Sequence, residues 1–159
     1  MTHMSNAATV VNKLMEKGWH VSLAESCTGG MVAAELVSIP DASKVLDRSF
    51  VTYSEQSKTE LVSVPEQLIC TFGVVSEQVA GAMASGAARA AGCEVGVGVT
   101  GVAGPTGGTD AVPVGTVCFG FYLDGAVQTW TCHFAPAAER NAIRRMATEF
   151  VLDALSELL

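Results

Sequence analysis

Hydrophobic residues recur along the chain with two different periods, one typical of helices and one typical of strands. Val10, Val11 and Leu14 follow helical spacing, whereas Val21 and Leu23 alternate with polar neighbours as in a strand. The same patterns predict further helices over residues 31–36, 55–62 and 77–91 and one that begins near Arg140, and further strands over residues 50–53, 95–99, 114–122 and 127–134. Helices interleave with strands early and a hairpin comes late, which predicts an α/β fold, a three-layer α/β/α sandwich around a mixed sheet.

Capping and turn residues mark several of the predicted ends. Asn6 is predicted to cap the first helix, and Gly18 to end it in the left-handed conformation. Ser76 and Gly92 are predicted to do the same for the long alanine-rich helix. The Asp124-Gly125 pair (residues 124–125) predicts a hairpin turn between the last two strands.

Composition and charge limit the class of protein. The chain has 159 residues, of which 49% are hydrophobic and 16% charged, so a disordered or low-complexity chain is excluded and one domain over residues 1–159 is expected. The formal net charge is −7, which argues against nucleic acid or an anionic membrane as the main partner.

Cysteine usage and the N-terminal segment both point to the cytoplasm. The five cysteines contain no CxxC pair and are expected to be reduced thiols. Residues 1–6 lack a basic region followed by an apolar run, and no apolar stretch approaches the roughly 18 residues of a membrane span. Nor do His, Cys, Asp and Glu residues show the spacing of metal ligands, so no metal site is expected.

Ser26 is the first candidate for chemistry, because it lies in a sharp turn between a predicted strand and a predicted helix. In α/β sheets of the predicted kind, ligands bind beyond the carboxyl ends of the strands, and unpaired N–H groups at the start of a helix attract anions. The alternative is that Ser26 or Thr28 only caps the helix while Gly29 and Gly30 close the turn. Cys27 is a second, less favoured nucleophile, because a reactive thiolate needs a nearby cation and exposure.

Lys58 is the preferred partner for a serine nucleophile. It follows Tyr53 by less than about two helical turns, and a lysine desolvated within a site loses its proton more readily. The alternative is an ordinary solvated surface lysine. The histidines are less well placed, in the N-terminal tail or in predicted strands: His3, His20 and His133.

A glycine-dense loop and a group of arginines are the remaining candidates for substrate binding. The loop over residues 100–109 follows a strand, where missing side chains let backbone N–H groups approach an anion or a flat ring; the alternative is a long turn. It lacks a P-loop ending, and the GxGxxG string over residues 96–101 falls inside a predicted strand, so a dinucleotide-binding motif is rejected. Arg140, Arg144 and Arg145 suit a phosphate monoester, or else form a solvated helix face.

Five separated motifs, which together span nearly the whole chain, carry a family resemblance. They are residues 24–30 (AESCTGG), 51–54 (VTYS) with Lys58, 73–77 (GVVSE), 100–105 (TGVAGP) and 113–117 (PVGTV). In this order they resemble the CinA C-terminal domain family. The resemblance implies a stand-alone amidohydrolase that converts nicotinamide mononucleotide (NMN) and water to nicotinate mononucleotide and ammonia. It also implies a mixed, mostly parallel sheet of about five strands, no cofactor and a homo-oligomer.

The resemblance also implies roles for individual residues. Ser26 would attack the carboxamide carbon, Lys58 would take the proton of Ser26, and Tyr53 would orient the base or the ring. The implied substrate-binding residues are Thr28, Gly29, Gly30, Thr100, Gly101, Gly104, Gly107, Gly108, Arg140 and Arg144. A rival hypothesis of a different class is a non-catalytic nucleotide-binding module that uses the same loops for regulation.

Overall fold

Helices and strands alternate in the first part of the chain, and three consecutive helices, three consecutive strands and a last helix follow, as a computed structural model covering residues 5–135 and 138–159 shows. The elements are α1 (Asn6–Lys17), β1 (Val21–Glu25), α2 (Met31–Val37), a 3-10 helix (Ala42–Lys44), β2 (Leu46–Val51), α3 (Glu55–Val62), α4 (Glu66–Phe72), α5 (Glu77–Ala91), β3 (Val95–Gly101), β4 (Thr116–Leu123), β5 (Ala126–His133) and α6 (Arg140–Leu158). His3 lies outside the described residues.

The five strands form one mixed sheet in the order β2-β1-β3-β4-β5. Strand β1 pairs in parallel with β2 and β3, whereas β3–β4 and β4–β5 are antiparallel, so only β4 runs against the others. Glu25 at the end of β1 lies opposite Val51 and Val99. The predicted fold is therefore confirmed, and the carboxyl ends of β1, β2 and β3 meet at one edge.

Helices cover both faces of the sheet. On one face α1, α2 and α6 pack around a core that includes Val10, Leu14 and Val97. On the other face α5 lies directly on the sheet, because β3 is nearly bare there: a Cβ on Gly96 would come within 2.0 Å of the Ala84 carbonyl oxygen. The alternating glycines of β3 thus let the backbone of α5 approach the centre of the sheet.

Several ends of elements agree with the sequence and others differ. Gly18 and Gly92 end α1 and α5 in the left-handed conformation, and the Ser76 hydroxyl caps α5, as predicted. At the start of α1, however, Ser5 is the cap and Asn6 is the first helical residue. The described residues contain no helix that is both long and apolar enough to span a membrane.

Two elements near the functional edge depart from the hydrophobic pattern. Strand β2 ends at Val51 (Leu46–Val51), so Tyr53 lies in the loop that follows it. Helix α4 was not predicted, because its seven residues bury only Ile69 and are too few to show a helical period. Both differences place more side chains beyond the carboxyl ends of the strands.

Candidate active site

The turns that follow the three parallel strands are tied together by backbone hydrogen bonds. The Ser26 amide donates to the Val99 carbonyl oxygen at 3.0 Å, and the Thr52 amide donates to the Glu25 carbonyl oxygen at 2.9 Å. Segments that are far apart in the chain therefore meet at one edge of the sheet. Ser26 lies at the centre of this edge, immediately after β1.

Lys58 lies against Ser26 and is almost completely buried. Ser54 caps α3, and the fourth residue of that helix, Lys58, faces inward with a relative exposure of 1%. Its Nζ atom lies 3.0 Å from Ser26 Oγ and donates to the Thr52 carbonyl oxygen at 2.6 Å. Burial lowers the pKa of Lys58, since the charged form loses its hydration. The alternative of a solvated surface lysine is therefore wrong.

Ser26 and Lys58 face a cavity of about 580 Å³. Its charged lining side chains, among the described residues, are Glu55, Lys58 and Arg140. The remaining lining residues come from the turn after β1, the loop after β2, the end of α4 and the glycine loop: Ser26, Cys27, Tyr53, Phe72, Gly73, Val74, Val75, Thr100, Gly101, Val102, Ala103, Gly104, Thr106, Gly107, Thr109 and Val112. The size falls within the range of about 300–1,000 Å³ that is usual for small-molecule sites.

Arg140, the first residue of α6, connects this helix to the glycine loop and to the loop after β2 at the cavity rim. Its guanidinium donates to the Gly104 carbonyl oxygen at 2.7 Å and to the Tyr53 hydroxyl at 2.9 Å. Thr100, within the cavity, donates its hydroxyl to the Val74 carbonyl oxygen at 2.9 Å. The structure thus brings most of the candidate residues to one site, although their order in the chain alone does not show which of them touch.

Five of the candidate binding residues are not among those that line the cavity: Thr28, Gly29, Gly30, Gly108 and Arg144. Arg144 instead donates to the carbonyl oxygens of Cys27 and Thr28 at 2.8 and 3.2 Å. The Gly29 amide donates to the Ser26 carbonyl oxygen within the turn. A Cβ at Gly29 would lie 3.3 Å from Arg144 Nη2, so Gly29 leaves room for this guanidinium beside the turn that follows β1.

Glu25 lies next to Ser26 but outside the cavity lining, and its part in holding the turn was not predicted from the sequence. Its carboxylate is fully buried and accepts hydrogen bonds from the amides of Val32 and Ala33 at 2.9 and 3.2 Å and from the Ser49 hydroxyl at 3.0 Å. Amides at the start of α2 therefore donate to this carboxylate. From the sequence, amides of this kind were expected to donate to the substrate instead. A charged residue in an otherwise apolar strand was the signal for it.

Replacing Glu25 by glutamine is expected to lower the free energy of unfolding by about 1–3 kcal/mol, because the amide NH2 of glutamine cannot accept hydrogen bonds from the buried N–H groups. Urea denaturation measures this change. The matched control is Glu35→Gln on α2, the helix whose amides Glu25 binds; the Glu35 side chain is exposed, so the change should stay within about 0.5 kcal/mol. Equal stability of the two variants would contradict the capping role.

Cys27 is poorly suited to be the nucleophile in place of Ser26. Burial raises the pKa of its thiol to about 11, although Arg144 and Lys58 act in the opposite direction. The nucleophilic thiolate is therefore scarce at neutral pH. All five cysteines are free thiols. Within residues 5–135 and 138–159, no group of His, Cys, Asp and Glu side chains is arranged to hold a metal ion.

Comparison with known proteins gives one consistent family. The family model of the CinA C-terminal domain matches residues 3–159. Over 148 residues the chain is 47% identical to "Nicotinamide-nucleotide amidohydrolase PncC" of Enterobacter agglomerans, covering 92% of this chain and 89% of that protein. It is 43% identical to a "CinA-like protein" of Kosmotoga olearia, covering 91% of this chain but 34% of that protein.

Solved structures agree with the sequence matches. The crystal structure of a competence-damaged protein (CinA) superfamily protein from Escherichia coli superimposes with a TM-score of 0.92 at 35% sequence identity. The match covers 97% of this chain and 88% of that chain. The chain spans only about a third of the length of several longer relatives, for example 34% and 36% of two of them.

Proposed function

The chain belongs to the CinA C-terminal domain family, and we propose that it is an amidohydrolase that converts NMN and water to nicotinate mononucleotide and ammonia. One observation carries the proposal: Lys58 Nζ lies 3.0 Å from Ser26 Oγ at the wall of a nucleotide-sized cavity. The name of the relative from Enterobacter agglomerans supports the substrate class. A serine paired with a buried amine is an arrangement that suits acyl transfer.

In the first half of the reaction, Ser26 is acylated. The neutral Lys58 amine takes the hydroxyl proton while Ser26 Oγ forms a bond to the carboxamide carbon of NMN. The C–N bond of the resulting tetrahedral intermediate then breaks, and Lys58 returns its proton to the departing nitrogen, which leaves as ammonia. The product of this half is an ester between Ser26 and the nicotinoyl group, which divides one difficult step into two.

In the second half of the reaction, water hydrolyses the ester. Lys58 takes a proton from the water as its oxygen bonds to the ester carbon, and the ester C–O bond then breaks. Ser26 Oγ recovers a proton from Lys58, and nicotinate mononucleotide leaves as the carboxylate after losing its acidic proton to solvent. The serine and the lysine end the cycle as they began it.

The surroundings of Lys58 support its role as the base. A neutral amine has two N–H donors and one lone pair. The Thr52 carbonyl oxygen accepts one N–H at 2.6 Å, which leaves the lone pair free to face Ser26 Oγ. Because burial lowers the pKa of Lys58, the neutral form is more abundant near neutral pH than for a lysine in water.

The remaining lining groups suit the other parts of NMN. The Arg140 guanidinium at the rim matches a phosphate monoester, and it could exchange its contacts with Tyr53 and Gly104 for phosphate oxygens. Ala103 and Gly104 are buried, and within the described part of the chain their N–H groups donate no hydrogen bond. These two amides are our candidates for the donors to the oxyanion of the tetrahedral intermediate.

Further properties expected from the sequence stay proposals. We propose that residues 1–159 act as one domain, which the single five-stranded sheet supports. The homo-oligomer, the cytoplasmic location and the absence of a nucleic-acid, membrane or cofactor partner stay predictions.

The direct test is release of ammonia from NMN by the purified protein, followed by a coupled ammonia assay, with nicotinate mononucleotide identified chromatographically. We expect equal amounts of the two products. Thermal stabilisation by NMN without any ammonia would instead favour the regulatory nucleotide-binding module. The absence of both ammonia release and thermal stabilisation would contradict NMN as the ligand.

A further inference from the structure

Glu55 is the one carboxylate among the described residues that line the cavity. It is the first residue of α3, exposed to solvent, and it forms no ion pair within the described part of the chain. Since Glu55 precedes Lys58 by three residues, the two side chains lie on neighbouring positions of one helix face. A ligand group held next to Ser26 and Lys58 therefore comes close to this carboxylate.

Phe72 is an exposed aromatic side chain in the same cavity. It is the last residue of α4 and 49% exposed, so core packing does not explain it. Gly73 follows with φ 84° and redirects the chain, and residues 73–75 continue as part of the lining. Glu55 and Phe72 thus bring a negative charge and an aromatic face to the lining of the same cavity.

An aromatic face together with a carboxylate is a combination that recognises cations, above all flat delocalised ones. The pyridine ring of NMN carries a permanent positive charge, because its nitrogen is bonded to the ribose. NMN also carries a phosphate, so its two ends have opposite charge. The cavity lining offers a group for each charge, the Glu55 carboxylate for the ring and the Arg140 guanidinium for the phosphate.

We propose that Glu55 and Phe72 form a subsite for the pyridinium ring and make the protein prefer a cationic ring over a neutral one. This inference rests on the proposed function, because the ring must be next to the carboxamide that Ser26 attacks. Glu55 also has a simpler effect, since an acidic residue in the first turn stabilises a helix. That effect alone does not alter the choice between two ligands, so discrimination is the decisive quantity.

The test compares NMN with its reduced form, which keeps the carboxamide, ribose and phosphate but has an uncharged dihydropyridine ring. Dissociation constants for both are measured by calorimetry in a Ser26→Ala background, where no turnover occurs. The ratio of the two constants removes effects common to both ligands. Glu55 raises the pKa of Lys58, so Glu55→Gln makes Lys58 less protonated, which favours the cationic ring and works against the expected loss of preference. We expect the Ser26→Ala protein to bind NMN more tightly than reduced NMN.

Adding Glu55→Gln is expected to reduce this preference by about five- to twentyfold, mainly through weaker binding of NMN. Phe72→Leu should reduce it by about three- to tenfold, whereas Phe72→Tyr should retain it. The matched control is Glu60→Gln on the same helix, which makes the same change in net charge outside the cavity lining. Thermal melts check that each variant is folded.

An unchanged preference in both Glu55→Gln and Phe72→Leu would overturn the subsite. So would an equal loss in Glu60→Gln, because the cause would then be net charge. Ammonia release by the unmodified protein is measured separately. If NMN is hydrolysed while the preference is insensitive to both variants, only the subsite fails; if NMN is bound selectively but never hydrolysed, only the proposed function fails.

Discussion

Replacing Ser26 by alanine is expected to lower kcat for NMN hydrolysis by about 10³–10⁶-fold, because the variant has no oxygen to form the ester. KM should change little, since the other cavity-lining groups remain in place. The fold should be retained, because the change removes one small hydroxyl and Lys58 keeps its hydrogen bond to the Thr52 carbonyl oxygen. Steady-state ammonia release gives the rates, and mass spectrometry of acid-quenched protein detects the nicotinoyl ester in the unmodified protein only.

Ser22 provides a matched control for this variant. It lies on β1, the strand that ends just before Ser26, is fully buried and does not line the cavity. Its hydroxyl has no hydrogen-bond partner among the described residues, so Ser22→Ala should leave both activity and stability near those of the unmodified protein. Ammonia release by Ser26→Ala at more than about a tenth of the unmodified rate would contradict a serine nucleophile.

Replacing Lys58 by methionine is expected to lower kcat by about 10²–10⁴-fold while leaving the fold intact or more stable. Methionine has a similar length and needs no hydrogen-bond partner, so it suits a buried position better than an amine does. Activity and stability should therefore change in opposite directions, which a purely structural lysine would not cause. Kinetics and chemical denaturation of the same preparation measure the two quantities.

The pH dependence follows from the same group. Since burial lowers the pKa of Lys58, the unfolded chain binds a proton at a higher pH than the folded protein does. Stability that depends on Lys58 is therefore full above the unfolded pKa and decreases as the pH falls through the window between the two pKa values. The advantage of Lys58→Met should be largest below that window and disappear above it. Activity should rise with pH, and the midpoint of this rise should lie below the ordinary pKa of lysine.

Lys13→Met is the matched control for Lys58→Met. Lys13 lies on α1, on the opposite face of the sheet, where its Nζ donates to the Ser156 carbonyl oxygen at 2.6 Å. The same substitution there should leave ammonia release unchanged. Lys58 is not the base if Lys58→Met keeps most of the activity of the unmodified protein. The same conclusion follows if the activity of the unmodified protein does not rise with pH below the ordinary pKa of lysine.

The local elements follow largely from the sequence, because their causes are local. The cap at Ser76 and the left-handed Gly92 mark both ends of α5 by chemistry within one turn of each end. Alternation over Val95, Val97 and Val99 identifies β3 for the same reason. Helix α4 was missed since seven residues with one buried side chain carry too little periodicity.

Residue patterns and motifs are enough to predict the α/β fold, the sharp turn that holds Ser26 and the family to which the chain belongs. Which side chains touch is visible only in the folded chain: Lys58 reaches Ser26, while Arg144 binds the back of the turn and Glu25 accepts from amides of α2. The difference arises because helical and strand periods depend on neighbours in the chain. Contacts within the site depend instead on the pairing of β1, β2 and β3, which brings distant segments to one edge and sets which way each side chain points.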